Sequence, residues 1–148
     1  MKILLAIDGS KFSEAAIQTV CEQARLRVKE VRVLHVVEPP SLLVAREMGG
    51  YDRELDVVWE AETKAAKALV TKAADRLRAK GLNVTAAVEQ GDPRSKILEM
   101  ASKWRADLIV VGSHGHKGLA HFLLGSVSED VAQHAGCSVE IVRIPSKR

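Results

Sequence analysis

Five short apolar runs recur along this chain, and segments with helical periodicity separate them. The runs occupy residues 2–7, 31–37, 83–88, 107–111 and 138–144. Residues 108–111 are apolar without alternation, a pattern typical of parallel strands that are covered on both faces. Strands that alternate with helices predict an α/β fold, in which one parallel sheet lies between two layers of helices.

Four helical segments fill the gaps between these runs. In the first, apolar residues recur three and four positions apart from Ala16 to Val28, and in the second from Val58 to Leu77. The fourth is expected over residues 127–134. The start and stop signals are Ser13 as N-cap of the first helix, Gly81 after the second, Asp92 and Pro93 at the start of the third, and Gly136 after the fourth.

The length of the chain fits one domain. Five strands and four helices use nearly all of its 148 residues, so we expect a single domain over 1–148, with a long variable loop at 39–56. No apolar run approaches the ~20 residues that a membrane span needs. The first apolar run meets Asp8 too soon for a signal peptide, and we therefore expect a cytoplasmic protein without membrane contact.

Charge and aromatic content argue against a nucleic-acid-binding protein. The 22 basic and 19 acidic side chains leave a net charge of only +3, and aromatic residues make up 3% of the chain. The basic residues form no dense run, so a base-stacking surface is poorly supported. The two cysteines, Cys21 and Cys137, lie far apart without the spacing of a redox or metal motif, and we expect reduced thiols.

The glycine-rich segment after the fourth run is the strongest sign of a binding site. Gly112 and Gly115 are followed, after nine further residues, by Gly125 and Ser126 at the start of the fourth helix. Glycines permit sharp turns and a close approach of backbone N–H groups to a ligand, and a helix start attracts anions. The spacing suits a phosphate cradle at the ligand-binding edge of the sheet. The glycines are also compatible with a plain turn, and the serines with helix caps.

Motifs of other nucleotide sites and of hydrolases are missing from the sequence. Neither GxxxxGK[ST] nor a GxGxxG after the first strand occurs. No GxSxG accompanies Ser126, so a hydrolase triad is disfavoured.

The histidines call for a separate interpretation. His114, His116 and His121 have no carboxylate or cysteine close by in sequence. We therefore expect solvent-exposed loop histidines and no metal site, with phosphate contact as the alternative. His35 is expected to be a hydrogen-bonded histidine beside the first strand rather than a catalytic base.

The sequence resembles the universal stress protein family. Residues 110–115 (Val-Val-Gly-Ser-His-Gly), followed after nine residues by Gly-Ser-Val-Ser at 125–128, are similar to its ATP-binding signature G-x-x-G-x9-G-[ST]. Residues 3–10, the strand at 34–37, the Gly-Asp-Pro turn at 91–93 and the segment 137–143 also match. The similarity covers nearly the whole chain apart from 38–56.

This resemblance implies a fold and a ligand. The implied fold is a single open, doubly wound sheet of five parallel strands in the order 3-2-1-4-5 with four helices, of the adenine nucleotide alpha-hydrolase-like type. The implied cofactor is ATP, with Mg²⁺ as an optional companion. The implied contacts are Asp8 at the ribose or its metal-phosphate surroundings, Val36 at adenine through its backbone, Gly112 and Gly115 along the ribose–phosphate turn, and Gly125, Ser126, Val127 and Ser128 at the phosphates. Asp8 is also compatible with a capping role in the turn that follows it.

The resemblance further implies an ATP-binding protein with a stress-response or signalling role and no dedicated catalysis. One alternative is a slow ATPase or autophosphorylating enzyme that uses Ser126 or Ser128 as acceptor and Asp8 as base. Another is a module that binds AMP or a cyclic nucleotide. Members commonly dimerise by pairing the last strand with its twofold mate, so we expect a homodimer through residues 138–144.

Overall fold

The computed structural model describes residues 1–25, 27–28, 30–39, 53–115 and 124–145. Within these ranges strands and helices alternate along the chain. They are β1 (Lys2–Ala6), α1 (Lys11–Glu22), one turn of 3-10 helix (Gln23–Arg25), β2 (Glu30–Val37), α2 (Arg53–Arg78), β3 (Val84–Gln90), α3 (Pro93–Trp104), β4 (Leu108–Gly112), α4 (Ser126–His134) and β5 (Ser138–Val142).

The five strands form one parallel sheet in the order β3-β2-β1-β4-β5, which confirms the predicted fold and strand order. Successive side chains of a strand point to opposite faces. Ile3 and Leu5 pack on one face with α1 and α2, whereas Leu4 packs on the other with α3 and α4. All three are completely buried. Helices therefore cover both faces, which explains the apolar runs without alternation.

The first helix starts earlier than the sequence predicted. Ser10, not Ser13, is the N-cap of α1: the Ser13 backbone N–H donates to Ser10 Oγ at 3.2 Å. Ser13 lies inside the first turn, where its own hydroxyl accepts from the Gly9 backbone N–H at 3.1 Å. The assignment of Ser13 as N-cap was wrong, because both serines have the right chemistry and only the path of the chain separates them.

The second helix also starts earlier, at Arg53, and so enters the segment 39–56 that was expected to be a loop. Residues 40–52 lie outside the described residues. Gly81 ends the helix as predicted: it has a φ of 84°, and its N–H donates to the Arg78 carbonyl at 2.9 Å.

Helix α3 has the predicted start and α4 the predicted end. Asp92 caps α3, accepting from Ser95 N–H at 3.2 Å, and Pro93 is the first helical residue. Helix α4 ends at His134, as expected from the predicted range 127–134, with Ala135 as its cap in an extended conformation and Gly136 as the next residue. No helix in the described ranges is long and apolar enough to cross a bilayer.

Candidate functional site

A cavity of about 690 Å³ lies at the carboxyl ends of the strands, where the strand order reverses between β1 and β4. Its volume is in the range of small-molecule sites. All the site residues predicted from the sequence line this cavity: Asp8, Val36, Gly112, Gly115, Gly125, Ser126, Val127 and Ser128. They come from distant parts of the chain, so the sheet topology brings them together.

Gly112, the last residue of β4, permits a close approach of the strand to α1. A Cβ built on Gly112 would lie 2.8 Å from the backbone carbonyl carbon of Phe12. The φ of Gly112 is not in the left-handed region, so the expected sharp turn is not the reason for this glycine. Its first role is to let α1 and β4 pack together, and this packing places the following loop beside the cavity.

Gly115 brings that loop against Asp8. A Cβ on Gly115 would stand 2.7 Å from Asp8 Oδ2. The other carboxylate oxygen, Oδ1, accepts from the Ser10 backbone N–H at 2.9 Å. The capping role of Asp8 is therefore confirmed, and it leaves Oδ2 directed toward the cavity-lining glycine.

Gly125 and Ser128 hold the loop to the start of α4. The Gly125 N–H donates to the Ser113 carbonyl at 2.7 Å. The Ser128 hydroxyl lies 3.0 Å from both the Ser113 and the Gly125 carbonyl oxygens, which it serves as a donor. Ser128 is buried and Ser126 is exposed. The hydroxyl proton of Ser128 is thus donated to the backbone, so the hydroxyl is not a donor for a ligand.

The first turn of α4 is open toward the cavity. Its N-cap is Gly125, which has no side chain to accept from the first N–H groups. The first backbone bond of the helix runs from Glu129 N–H to the Gly125 carbonyl. Among the described residues, none accepts from the backbone N–H groups of residues 126–128. Since α1 and α3 have side-chain caps, the start of α4 differs from both: it offers an anion the positive end of the helix dipole and N–H groups that no described residue accepts from.

Val36 presents its backbone to the same cavity. Leu34 accepts from Ile7 N–H at 2.9 Å on the β1 side, and Val37 accepts from Gly91 N–H at 3.0 Å on the β3 side. Successive residues of a strand direct their N–H and C=O groups to the neighbouring strands on opposite sides. The N–H and C=O groups of Val36 therefore point to the β1 side, at a level where β1 has already ended. The Val36 side chain is buried in the core, so its backbone is the part that reaches a ligand.

Two of the histidines lie in the wall of the cavity. His35 donates from Nδ1 to the Ile7 carbonyl at 2.7 Å, which confirms a hydrogen-bonded histidine beside the first strand. His114 packs against the Phe12 ring, with centroids 5.0 Å apart, and its Nδ1 lies 2.9 Å from Ser113 Oγ. His116 and His121 lie outside the described residues, and within those residues no group of three potential metal ligands gathers.

The charged groups that line the described part of the cavity are acidic. They are Asp8, Glu38 and Glu62, and no described lining residue is a lysine or an arginine. Lys117, a basic residue of the segment between Gly115 and Gly125, lies outside the described residues. Backbone N–H groups are therefore the main electropositive feature of the described walls.

The sequence did not predict that residues of α2 and α3 line the cavity. Glu62, Ala65 and Ala66 of α2 and Pro93 and Ile97 of α3 complete the lining. The signal in the sequence was the alanine pair at 65 and 66, one helical turn after Glu62. Two small side chains let a helix approach a ligand closely. Their position could not be predicted, because it depends on how far α2 extends past the sheet edge.

Known proteins that are similar to this chain match it over nearly its whole length. The model of the "Universal stress protein family" matches residues 1–143. Universal stress protein YxiE of Bacillus subtilis is 32% identical over 145 residues, which are 96% of this chain and 98% of that protein. The solved hypothetical protein MJ0577 superimposes with a TM-score of 0.85 at 29% identity, covering 99% of this chain and 97% of the other. A universal stress protein in complex with cAMP has a TM-score of 0.65 at 25% identity, covering 97% and 96%.

Proposed function

The chain belongs to the universal stress protein family, and from that premise we propose that it binds ATP in a nucleotide-dependent stress-response or signalling role without dedicated catalysis. The observation that carries the proposal is the open start of α4 in the wall of the cavity. Three consecutive backbone N–H groups, at residues 126–128, begin this helix and have no acceptor among the described residues. Phosphate oxygens are strong acceptors that complement such donors.

The base would lie between aliphatic walls. Ile97, Val111 and Val127 line the cavity near Val36, and no described lining residue is a phenylalanine, tyrosine or tryptophan. The Val36 backbone offers one donor and one acceptor side by side. The edge of adenine carries N1 as an acceptor and the N6 amino group as a donor, so the two edges match. The ribose would then lie near Asp8 Oδ2 and Gly115, between the base and the phosphates.

Mg²⁺ suits the proposed complex. The described walls supply three carboxylates and no lysine or arginine, so the protein itself does little to neutralise a triphosphate. A hard divalent cation binds phosphate and carboxylate oxygens together. Asp8 is the carboxylate nearest to the glycine loop and would hold the ion or its water shell.

Titration calorimetry tests the proposal directly. ATP, AMP, cAMP and GTP are each titrated into the protein with Mg²⁺ present. We expect ATP to bind, and AMP to bind more weakly because it lacks the outer phosphates that reach α4. Absence of ATP binding at millimolar nucleotide would refute the proposal. Tighter binding of cAMP or AMP than of ATP would favour the other-nucleotide alternative, to which the relative solved with cAMP directs attention.

A slow phosphoryl transfer is the second candidate. Ser126 is the better acceptor for it, because Ser126 is exposed and Ser128 is buried. The Ser126 hydroxyl would take the γ-phosphoryl group, ADP would leave, and the proton would pass to Asp8. Incubation with γ-labelled ATP discriminates between the candidates. Label on wild type and its absence from Ser126→Ala would support transfer. If the protein takes up no label and releases no phosphate above the buffer background, the function is nucleotide binding without catalysis.

The open edge of β5 supports a homodimer. The Ser113 N–H donates to the Val142 carbonyl at 2.8 Å, so Val142 faces β4. By alternation, the N–H and C=O groups of Val139 and Ile141 point away from β4, to the side of β5 where no other strand of the described residues lies. An edge with unpaired backbone groups is a natural pairing site for another strand. We propose that a second copy pairs there, within the predicted segment 138–144.

A further inference from the structure

The hydrogen bonds from β2 to β1 end at Leu34, two residues before Val36. The last bond runs from Ile7 N–H to the Leu34 carbonyl at 2.9 Å. Bonds of a parallel pair are evenly spaced, so the next would run from Val36 N–H to the Ile7 carbonyl, and the one after from Gly9 N–H to the Val36 carbonyl. Among the described residues, no backbone hydrogen bond joins Val36 to Ile7 or Gly9.

Two side chains occupy the groups that these missing bonds would use. His35 Nδ1 donates to the Ile7 carbonyl at 2.7 Å. Ser13 Oγ accepts from the Gly9 N–H at 3.1 Å, and Gly9 turns the chain away from β2 with a φ of 82°. In each case a side chain takes the place of the Val36 backbone as the hydrogen-bond partner of β1 or of the turn that follows it. The end of β1 is thus satisfied without Val36, which lies in the cavity wall with its own donor and acceptor directed into the gap.

We infer that His35 is a positioning residue: its ring holds the Ile7 carbonyl and thereby keeps the Val36 backbone N–H available for the adenine base, beside the Val36 carbonyl, whose ladder donor Gly9 is held by Ser13. The nature of the ligand rests on the proposed function, whereas the local effect on Val36 does not. A carbonyl only accepts, so Nδ1 must carry the proton, and it does so in both the neutral and the charged ring.

The same arrangement of donor and acceptor at Val36 predicts selectivity for the base. Val36 N–H would donate to adenine N1, and the Val36 carbonyl would accept from the N6 amino group. Guanine reverses this order, with an acceptor at O6 and a donor at N1, so both contacts would meet like groups. A nucleotide without a base, such as tripolyphosphate, would use only the N–H groups at the start of α4.

Two variants separate positioning from simple burial of a histidine. His35→Leu removes the donor and leaves the Ile7 carbonyl to accept from Val36 N–H, which extends the ladder by one bond. His35→Asn keeps a donor, because the amide nitrogen of asparagine lies close to the place of Nδ1. Ligand-free amide hydrogen exchange, read residue by residue by NMR, reports on the Val36 N–H in each variant.

We expect the Val36 amide of the free wild type to exchange faster than that of Leu34, and to become protected by ATP. In His35→Leu it should be protected without ligand, and ATP affinity should fall about tenfold, as for the loss of one hydrogen bond, while tripolyphosphate affinity is unchanged. His35→Asn should restore both the fast exchange of the free Val36 amide and the ATP affinity.

Two results would overturn the inference. One is an equal loss of affinity for ATP and for tripolyphosphate in His35→Leu, and the other is a Val36 amide that is as protected as that of Leu34 in the free wild type. No ATP binding by the wild type would instead refute the proposed function, and the exchange measurement still decides the role of His35.

Discussion

Gly115 passes so close to Asp8 that a methyl group on it would stand 2.7 Å from the carboxylate oxygen Oδ2. Oδ1 of the same carboxylate is held by the Ser10 N–H at 2.9 Å, so Asp8 cannot swing aside without losing that bond. Gly115 and the end of β1 are therefore in close contact at this carboxylate. This contact lies where the proposed ribose and its metal ion would bind.

Gly115→Ala should weaken nucleotide binding more than it weakens folding. To accommodate the methyl group, Asp8 must rotate or the loop must move, and either change displaces groups that would bind the ligand. We expect about a tenfold loss of ATP affinity by calorimetry and about 1 kcal/mol of lost stability in urea, the size of one hydrogen bond. Gly136→Ala is the matched control, because a Cβ there meets no atom within 4 Å. Equal affinities for the two variants would contradict the prediction.

Gly112→Ala should act chiefly on stability. The added methyl group would meet the backbone of Phe12 at 2.8 Å, and backbone cannot turn aside as a flexible side chain can. Strand β4 and helix α1 would have to separate. We expect a loss of about 1–3 kcal/mol in the free energy of unfolding, as for other overpacked cores. A urea midpoint equal to that of the wild type would show that the two elements separate without cost.

The architecture of this chain was predictable because its signals are local. Unbroken apolar runs and helical periodicity are visible in short windows, and the topology rules then carry Asp8 and Gly112 to one edge of the sheet. The structural role of Gly112 was not predictable. Gly112 is a glycine because of Phe12, which lies far away in sequence. Such contacts depend on how elements pack, and no pattern within one element records them.

The serines show the same limit at close range. Ser10 and Ser13 are both good caps, and Ser126 and Ser128 are both good phosphate donors, when judged by chemistry alone. The structure separates each pair by direction: Ser10 caps α1, and Ser128 faces inward to the Ser113 carbonyl. Two positions along a first helical turn are enough to exchange a buried side chain for an exposed one.

Ser128→Ala should destabilise the fold only slightly. The hydroxyl bonds to the Ser113 and Gly125 carbonyls would be lost, but both carbonyls keep a backbone donor, from Gly125 and Glu129 respectively. No buried acceptor is left without a partner, so we expect a loss of about 0.5–1.5 kcal/mol in thermal or urea unfolding. Ser126→Ala, at an exposed position, is the control and should leave stability unchanged. A larger loss in the control would show that the first turn of α4 depends on Ser126.

The thiol of Cys137 should make stability depend on alkaline pH. Burial, and secondarily the charge of Asp107, raises the pKa of Cys137 above its ordinary value of 9.0. Above the unfolded pKa the unfolded chain has lost a proton that the folded chain retains, so the free energy of unfolding falls as pH rises. We expect the urea midpoint of the wild type to fall between pH 8 and 10, at about the ordinary thiol pKa, by more than that of Cys137→Ala. Parallel midpoints for the two proteins across this range would exclude the effect.

Ile141→Pro should separate the proposed dimer without unfolding the subunit. Proline lacks the N–H group that Ile141 directs to the open edge, while the bonds from β5 to β4 use the alternate residues and remain. Sedimentation at micromolar concentration should therefore give a dimer for the wild type and a 16.1 kDa monomer for the variant. The circular dichroism of the variant, with its urea midpoint, establishes that the subunit is still folded. A wild type that sediments as a monomer would reject the dimer, and a folded Ile141→Pro that remains dimeric would place the interface away from β5.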